Sequence, residues 1–185
     1  MRFGLLLFLC SCFSVLSIQA KDGDVSIRKA LNLSSRQQAL TQRIAKIYFA
    51  LNNNLYEPKY YQERDAAIQQ FKEQYDQLRY YAPTSSVQQD LERVQEIWQD
   101  YAAIADWSIN KEGAEKLLQI CDPMLDASNQ LFLSYQTYYR TMYLRHFPRD
   151  DVVTMITLIK NTGIQRMLTQ RIKLYYLAVK QAIRN

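Results

Sequence analysis

The sequence is poor in the residues that break helices, crosslink chains or hold metals. Its 185 residues include four glycines, four prolines, three cysteines and a single histidine. So few glycines cannot form a phosphate-cradling loop, and no segment alternates apolar and polar residues as a half-buried strand would. His146 has no Glu-x-x-His context for a di-iron bundle, and no Cys-x-x-Cys-His stretch exists for attached haem. It falls near an expected helix end, where a terminal role is simpler than catalysis. No metal, no cofactor and no enzymatic activity are expected. Basic runs are also missing: Lys+Arg number 23 and Asp+Glu 18, mixed along the chain, so no nucleic-acid partner is expected despite a pI near 9.0.

The one long apolar run lies at the start, MRFGLLLFLCSCFSVLSIQA, with Arg2 as its only charge. This is the layout of a secretory signal peptide, residues 1–20, with cleavage after Ala20. Retention as an anchor and lipid modification of Cys12 are the alternatives. Cleavage removes Arg2, leaving 22 basic against 18 acidic residues, and it removes Cys10 and Cys12. Cys121 then stands alone, so no intramolecular disulfide can form even in an oxidising compartment. The mature chain, residues 21–185, is expected to be one domain, periplasmic or secreted.

What remains is helical periodicity. Apolar residues spaced by three and four predict an all-α, elongated up-and-down bundle of four to five helices. The expected spans are Ser26–Asn53, Pro58–Tyr81, Val87–Trp107, Glu112–His146 and Asp150–Ile183. Pro58 suits a first helical turn, Ser85 or Ser86 a cap, and Asp150-Asp151 a positive N-terminal end. Pro123 predicts a kink near Gln119–Cys121.

The phrase LTQRI occurs at Leu40–Ile44 and again at Leu168–Ile172, an offset of 128 that also pairs Gln37 with Gln165, Tyr48 with Tyr176 and Ala50 with Ala178. In the first helix Ala30, Leu33, Gln37, Leu40, Ile44, Ile47 and Leu51 form an a/d seam. The same offset in the last helix selects Leu158, Asn161, Gln165, Leu168, Ile172, Tyr175 and Val179. Each seam carries one glutamine, flanked by Thr41 or Thr169 and by Arg43 or Arg171. A buried amide needs partners, so the expectation is that first and last helices lie side by side and that Gln37 and Gln165 share one polar layer. That layer fixes helix register or holds a ligand.

RQQALTQRIAKIY and IQRMLTQRIKLYY resemble the signature helix of the PilJ-type domain, the sensing region of type IV pilus methyl-accepting chemotaxis transducers. A related signature occurs in periplasmic nitrate/nitrite sensors. The match covers about 20 residues in each copy. The resemblance implies an extracytoplasmic sensory domain of four or five helices that binds a small anion through arginines, across a homodimer interface. Residue by residue, the motif's inner arginine is Gln38 in the first copy and Arg166 in the second. Its later arginine is Arg43 and Arg171. The ligand-binding expectation is therefore Arg43, Arg166 and Arg171 as charge donors, Arg36 as a weaker one, and Gln37, Gln165, Thr41 and Thr169 as orienting groups. Receptors with this domain continue into a membrane helix, whereas the expectation here is that the chain stops at Asn185, two residues past its last helical pattern. The reading is a binding domain that reports to a membrane receptor or envelope protein partner, and the alternative is an envelope structural or adaptor bundle without a small-molecule ligand.

Fourteen tyrosines complete the pattern. They are expected to line helix interfaces with their hydroxyls in water; a partner surface on Tyr135, Tyr138, Tyr139 and Tyr143 is the sharper alternative.

Overall fold

Four to five helices were expected, and five are found among the described residues. The computed structural model of the protein describes residues 22–55 and 57–184; the leader, with Cys10, Cys12 and the cleavage point after Ala20, lies outside the described residues. The helices are α1 (Asp22–Asn52), α2 (Pro58–Tyr80), α3 (Ser85–Asp106), α4 (Lys111–Tyr143) and α5 (Arg149–Arg184), with no strand among the described residues. At 1.5 Å per residue, α1, α4 and α5 are about 45–55 Å long and α2 and α3 about 33–35 Å. No described helix is long and apolar enough to cross a membrane.

Local chemistry sets the boundaries. Asn54 adopts a left-handed φ of 66°, tolerable for asparagine, and Leu55 N–H reaches back to Ala50 O at 3.2 Å, closing α1. Pro58 opens α2 in its first turn. The cap of α3 is Thr84, accepting from Val87 N–H at 3.3 Å, one residue before the expected serines. Asn110 caps α4 by accepting from Gly113 N–H at 2.7 Å. Pro123 sits inside α4, which stays helical across it, with its ring on the exposed side.

Contacts across the helices give their directions. Gln37 Nε2 donates to Phe71 O at 3.4 Å, Tyr75 hydroxyl to Leu91 O at 3.0 Å, and Tyr135 hydroxyl to Leu78 O at 2.5 Å. Successive helices alternate up and down. The first four close a bundle around the buried seams Ile68, Phe71, Tyr75 and Leu78 of α2, Leu91, Val94, Trp98 and Tyr101 of α3, and Leu117, Met124, Leu131 and Tyr135 of α4. All seven expected seam residues of α1 are buried; α1 packs on α2, α4 and α5 and touches α3, so it is covered nearly all round.

The fifth helix departs from expectation. It lies against α1, touches α4 only lightly, and makes no contact with α2 or α3. Ser35 Oγ donates to Ile159 O at 3.4 Å and Asn53 Nδ2 to Leu177 O at 3.1 Å, both over a separation of 124, so α1 and α5 run parallel. The face that α5 turns inward is Val152, Ile156, Gly163 and Leu174, not the expected seam. Leu158, Leu168, Ile172, Tyr175 and Val179 are exposed.

The tyrosines also differ from both expectations. Tyr135 and Tyr139 are buried, so the four-tyrosine partner surface on α4 does not exist as drawn. The hydroxyls of Tyr48, Tyr75, Tyr101 and Tyr135 are not wet but donate to backbone carbonyls of Ser108, Leu91, Thr41 and Leu78. A ring that packs on the seam and a hydroxyl that reaches the next helix join two elements with one side chain.

Candidate functional site

The two signature segments lie side by side, but they do not meet through a common polar layer. Gln37 is buried, and its amide donates into α2. Gln165 is exposed on the far side of α5. Thr41 is buried with its hydroxyl on Gln38 O at 3.0 Å, whereas Thr169 is exposed with its hydroxyl on Gln165 O at 2.8 Å. The expected Gln37–Gln165 pairing is therefore wrong. The physical reason is supply: only one set of covering helices, α2–α4, is present, and α1 occupies it.

In place of a shared layer, α1 carries a buried amide band of its own. Gln37, Gln38, Thr41 and Gln42 are all buried, with Gln74 of α2 and Ser128 of α4 also inside the bundle. Gln42 Nε2 donates to Cys121 Sγ at 3.2 Å. The oxygens Gln37 Oε1, Gln42 Oε1, Gln74 Oε1 and Ser128 Oγ have no protein hydrogen-bond partner. A buried acceptor left without a donor is a stability cost. Gln37→Leu keeps the volume and removes one such oxygen together with a long 3.4 Å bond, so it is expected to raise the unfolding free energy by about 1 kcal/mol in urea titrations. A loss of 2 kcal/mol or more would mean that the amide holds something the protein needs.

The arginines divide between two sides of α5. Arg171 lies toward α4, bonded to Asp122 Oδ1 and to the Tyr175 hydroxyl, each at 2.8 Å, with its guanidinium over the Tyr175 ring. Arg43 lies toward α2, half-buried, 3.6 Å from Glu63 Oε2. Arg36 and Arg166 are exposed. Arg43 and Arg171 therefore do not converge on one ligand.

Arg43 instead acts on Lys46, which also feels Lys173, and neither lysine belongs to the repeated phrase. α2 and α5 flank α1 without touching each other, which leaves a groove floored by α1. Lys46 is half-buried there. Its pKa is lowered from 10.5, first by burial, then by the charge of Arg43 and, more weakly, of Lys173, with Glu63 acting in the opposite sense. Arg166 precedes Lys173 by seven residues, two helical turns, and so lies on the same side of α5. The groove thus concentrates cations around one carboxylate, which is the electrostatic condition for taking an anion. Lys46 was missed because it is not part of the repeat, and Lys173 because its neighbours depend on which face of α5 meets α1. The only cue was the i, i+3 spacing of Arg43 and Lys46.

Other candidates lack that character. The Cys121 thiol is buried and pushed up to about 11, mainly by desolvation, which keeps it protonated and inert. No group of three or more His, Cys, Asp or Glu among the described residues could hold a metal. An open cleft of about 840 Å³ between α2 and α3 is floored by Tyr75, Leu91 and Trp98, but Lys72 and Arg79 on its rim face Asp76, Glu92 and Glu96. It selects no sign of charge.

Compared with known proteins, the chain matches no family model, no curated protein and no solved structure.

Proposed function

We propose that this chain is a non-catalytic, extracytoplasmic sensory-type domain of the PilJ kind, which takes a small anion in the groove between α2 and α5 and reports to an envelope protein partner. The observation that carries this reading is the half-buried Lys46, held between Arg43 and Lys173 with Glu63 as the one carboxylate acting on it. The donors differ from those the signature implied: Arg43 remains, Lys46 and Lys173 replace Arg171, and Arg166 stands on the rim. A bound anion would offset the mutual repulsion of these cations and raise the Lys46 pKa toward its ordinary value.

Thermal melting with nitrate, phosphate, sulfate and succinate, against chloride at equal ionic strength, tests this. An anion at 100 times its dissociation constant should stabilise the wild type by about 2.7 kcal/mol. Lys46→Met should abolish that rise while leaving the fold intact. If no anion shifts the wild type beyond chloride, the anion reading fails and the chain is an adaptor. That second reading is favoured by one observation, the exposed seam of α5.

The lowered Lys46 pKa also sets a pH dependence. The unfolded chain holds the Lys46 proton more tightly than the folded one, so the Lys46 contribution to unliganded stability climbs as pH rises toward 10.5. From about pH 9.0 upward the buried Cys121 thiol opposes this, and above pH 10.0 Tyr101 and Tyr135 do so too, because all three are raised by burial and ionise first in the unfolded chain. Urea midpoints measured across this range should therefore fall more steeply with pH in Lys46→Met than in the wild type, the difference being the Lys46 contribution.

A further inference from the structure

The corner between α4 and α5 projects beyond the rest of the bundle. The Tyr135 hydroxyl bonds to Leu78 O, and Ser134 Oγ lies 3.3 Å from Ser86 Oγ, so α4 passes the α2–α3 turn at residues 134–135. α2 stops at Tyr80, whereas α4 runs on to Tyr143, about 12 Å past Tyr135. α1 starts beside this corner. It runs parallel to α5, and separations of 124 (Asn53 to Leu177) and 128 (Ser35 to Gly163) set Asp22 level with residues 146–150. The large apolar side chains of the corner face water: Phe147 is 51% exposed, Met142 43% and Leu144 40%. Tyr139, Tyr143 and Phe147 stack at 4.1 and 5.3 Å, and Tyr139 is buried, so the outermost ring is braced by a column rooted in the core. Arg145 and Arg149 stand exposed among these residues.

We infer that this tip is a membrane-contact site, with Met142, Leu144 and Phe147 entering the interface of a phospholipid bilayer and Arg145 and Arg149 pairing with lipid phosphates. It does not rest on the anion reading, whose groove lies elsewhere. Three observations identify the occupant. A projecting apolar point suits a broad, soft surface, whereas small ligands are taken by concave sites. The chemistry is also that of the head-group boundary, where apolar side chains reach the acyl region and arginine pairs bidentately with phosphate. Asp150 and Asp151 follow on the first turn of α5, exposed, where they complement the helix dipole, so the tip carries little net charge. Its arginines therefore select the phosphates of individual lipids rather than an acidic surface as a whole. Finally, the apolar run Phe3–Ile18 joins α1 through residues 19–21, so any bilayer that the run enters lies at this end of the bundle.

The test uses residues 21–185, which hold every described helix, with vesicles of phosphatidylethanolamine and phosphatidylglycerol brominated on their acyl chains. Phe147→Trp puts a reporter on the tip. Of the native tryptophans, Trp98 is buried and Trp107 lies at the opposite end, next to Ser108, whose carbonyl accepts from Tyr48 of α1. Tryptophan emission should be quenched by the vesicles in Phe147→Trp and not in the wild type. In that background Leu144→Asp should weaken vesicle binding by about tenfold or more. Arg145→Gln with Arg149→Gln should weaken it by about threefold or more, and circular-dichroism melting should stay unchanged in both. Equal quenching in the wild type, binding that either set of substitutions leaves unchanged, or no vesicle binding at all overturns the proposal. So does a dimer seen by light scattering that Leu144→Asp dissolves in the absence of vesicle binding, which would make a second copy the occupant.

Discussion

Tyr101→Ala is expected to lower the unfolding free energy by about 3–5 kcal/mol, a drop in melting temperature of roughly 8–16 °C. Tyr101 is fully buried and continues an aromatic column in which Phe71 and Trp98 stack at 3.8 Å and Trp98 and Tyr101 at 5.6 Å. The column joins α2 to α3, which otherwise touch only lightly and splay around an open cleft. The Tyr101 hydroxyl then reaches across the core to Thr41 O of α1, inside the LTQRI phrase. Removing the ring leaves a cavity beside Trp98 and Cys121 that rigid helices cannot fill. Tyr101→Phe separates the two contributions. It keeps the column and loses only the hydroxyl, whose acceptor retains its place in the α1 ladder, so it should cost about 1 kcal/mol. Equal losses for the two variants in urea titrations would show that the hydroxyl, and not the packing, joins α3 to α1.

The four-helix part of this architecture is legible in the sequence because each of α2–α4 has one apolar stripe and α1 is buried on nearly every side, its expected seam included. Helices with one stripe have one way to face a core, and the residues assigned to those seams are buried almost without exception. α5 has two stripes on opposite sides. Leu158, Leu168, Ile172 and Val179 form one, and Val152, Ile156, Ile159 and Leu174 the other, and spacing alone does not choose between them. The repeat of LTQRI correctly predicts that first and last helices are neighbours, yet it misleads on orientation, because equal sequence implies equal surroundings only where those surroundings exist twice. The same choice hides the groove. Arg43 is readable from the motif, whereas the proximity of Lys46 and Lys173 follows from the parallel register of α1 and α5. Tyrosine hydroxyls were misjudged for a related reason: a ring position is encoded by period, but the carbonyl it reaches belongs to another helix.

Gly163→Leu should loosen α5 while α1–α4 stay folded. Gly163 is where α5 comes closest to α1, with Ser35 Oγ in the space a Cβ would take and Ser35 Cβ and O at 3.3 and 3.4 Å behind it. An alanine needs only a turn of the serine hydroxyl and gains helix propensity of about 1 kcal/mol, so Gly163→Ala should be close to neutral. Leucine has no such escape. It must push the helices apart, at a cost of about 1–3 kcal/mol or more, on an element attached to the bundle along a single strip. Such an element opens below the global unfolding free energy. Hydrogen exchange should therefore show lost protection from Val152 to Leu177 with little change in α2 and α3. Lys173 would leave the neighbourhood of Lys46, so any anion-dependent rise in melting temperature should disappear together with the protection of α5. Retained protection in α5 would place the strength of its attachment elsewhere, in the light contact with α4 and the Arg171–Asp122 pair, and would remove Gly163 from any role in holding the groove together.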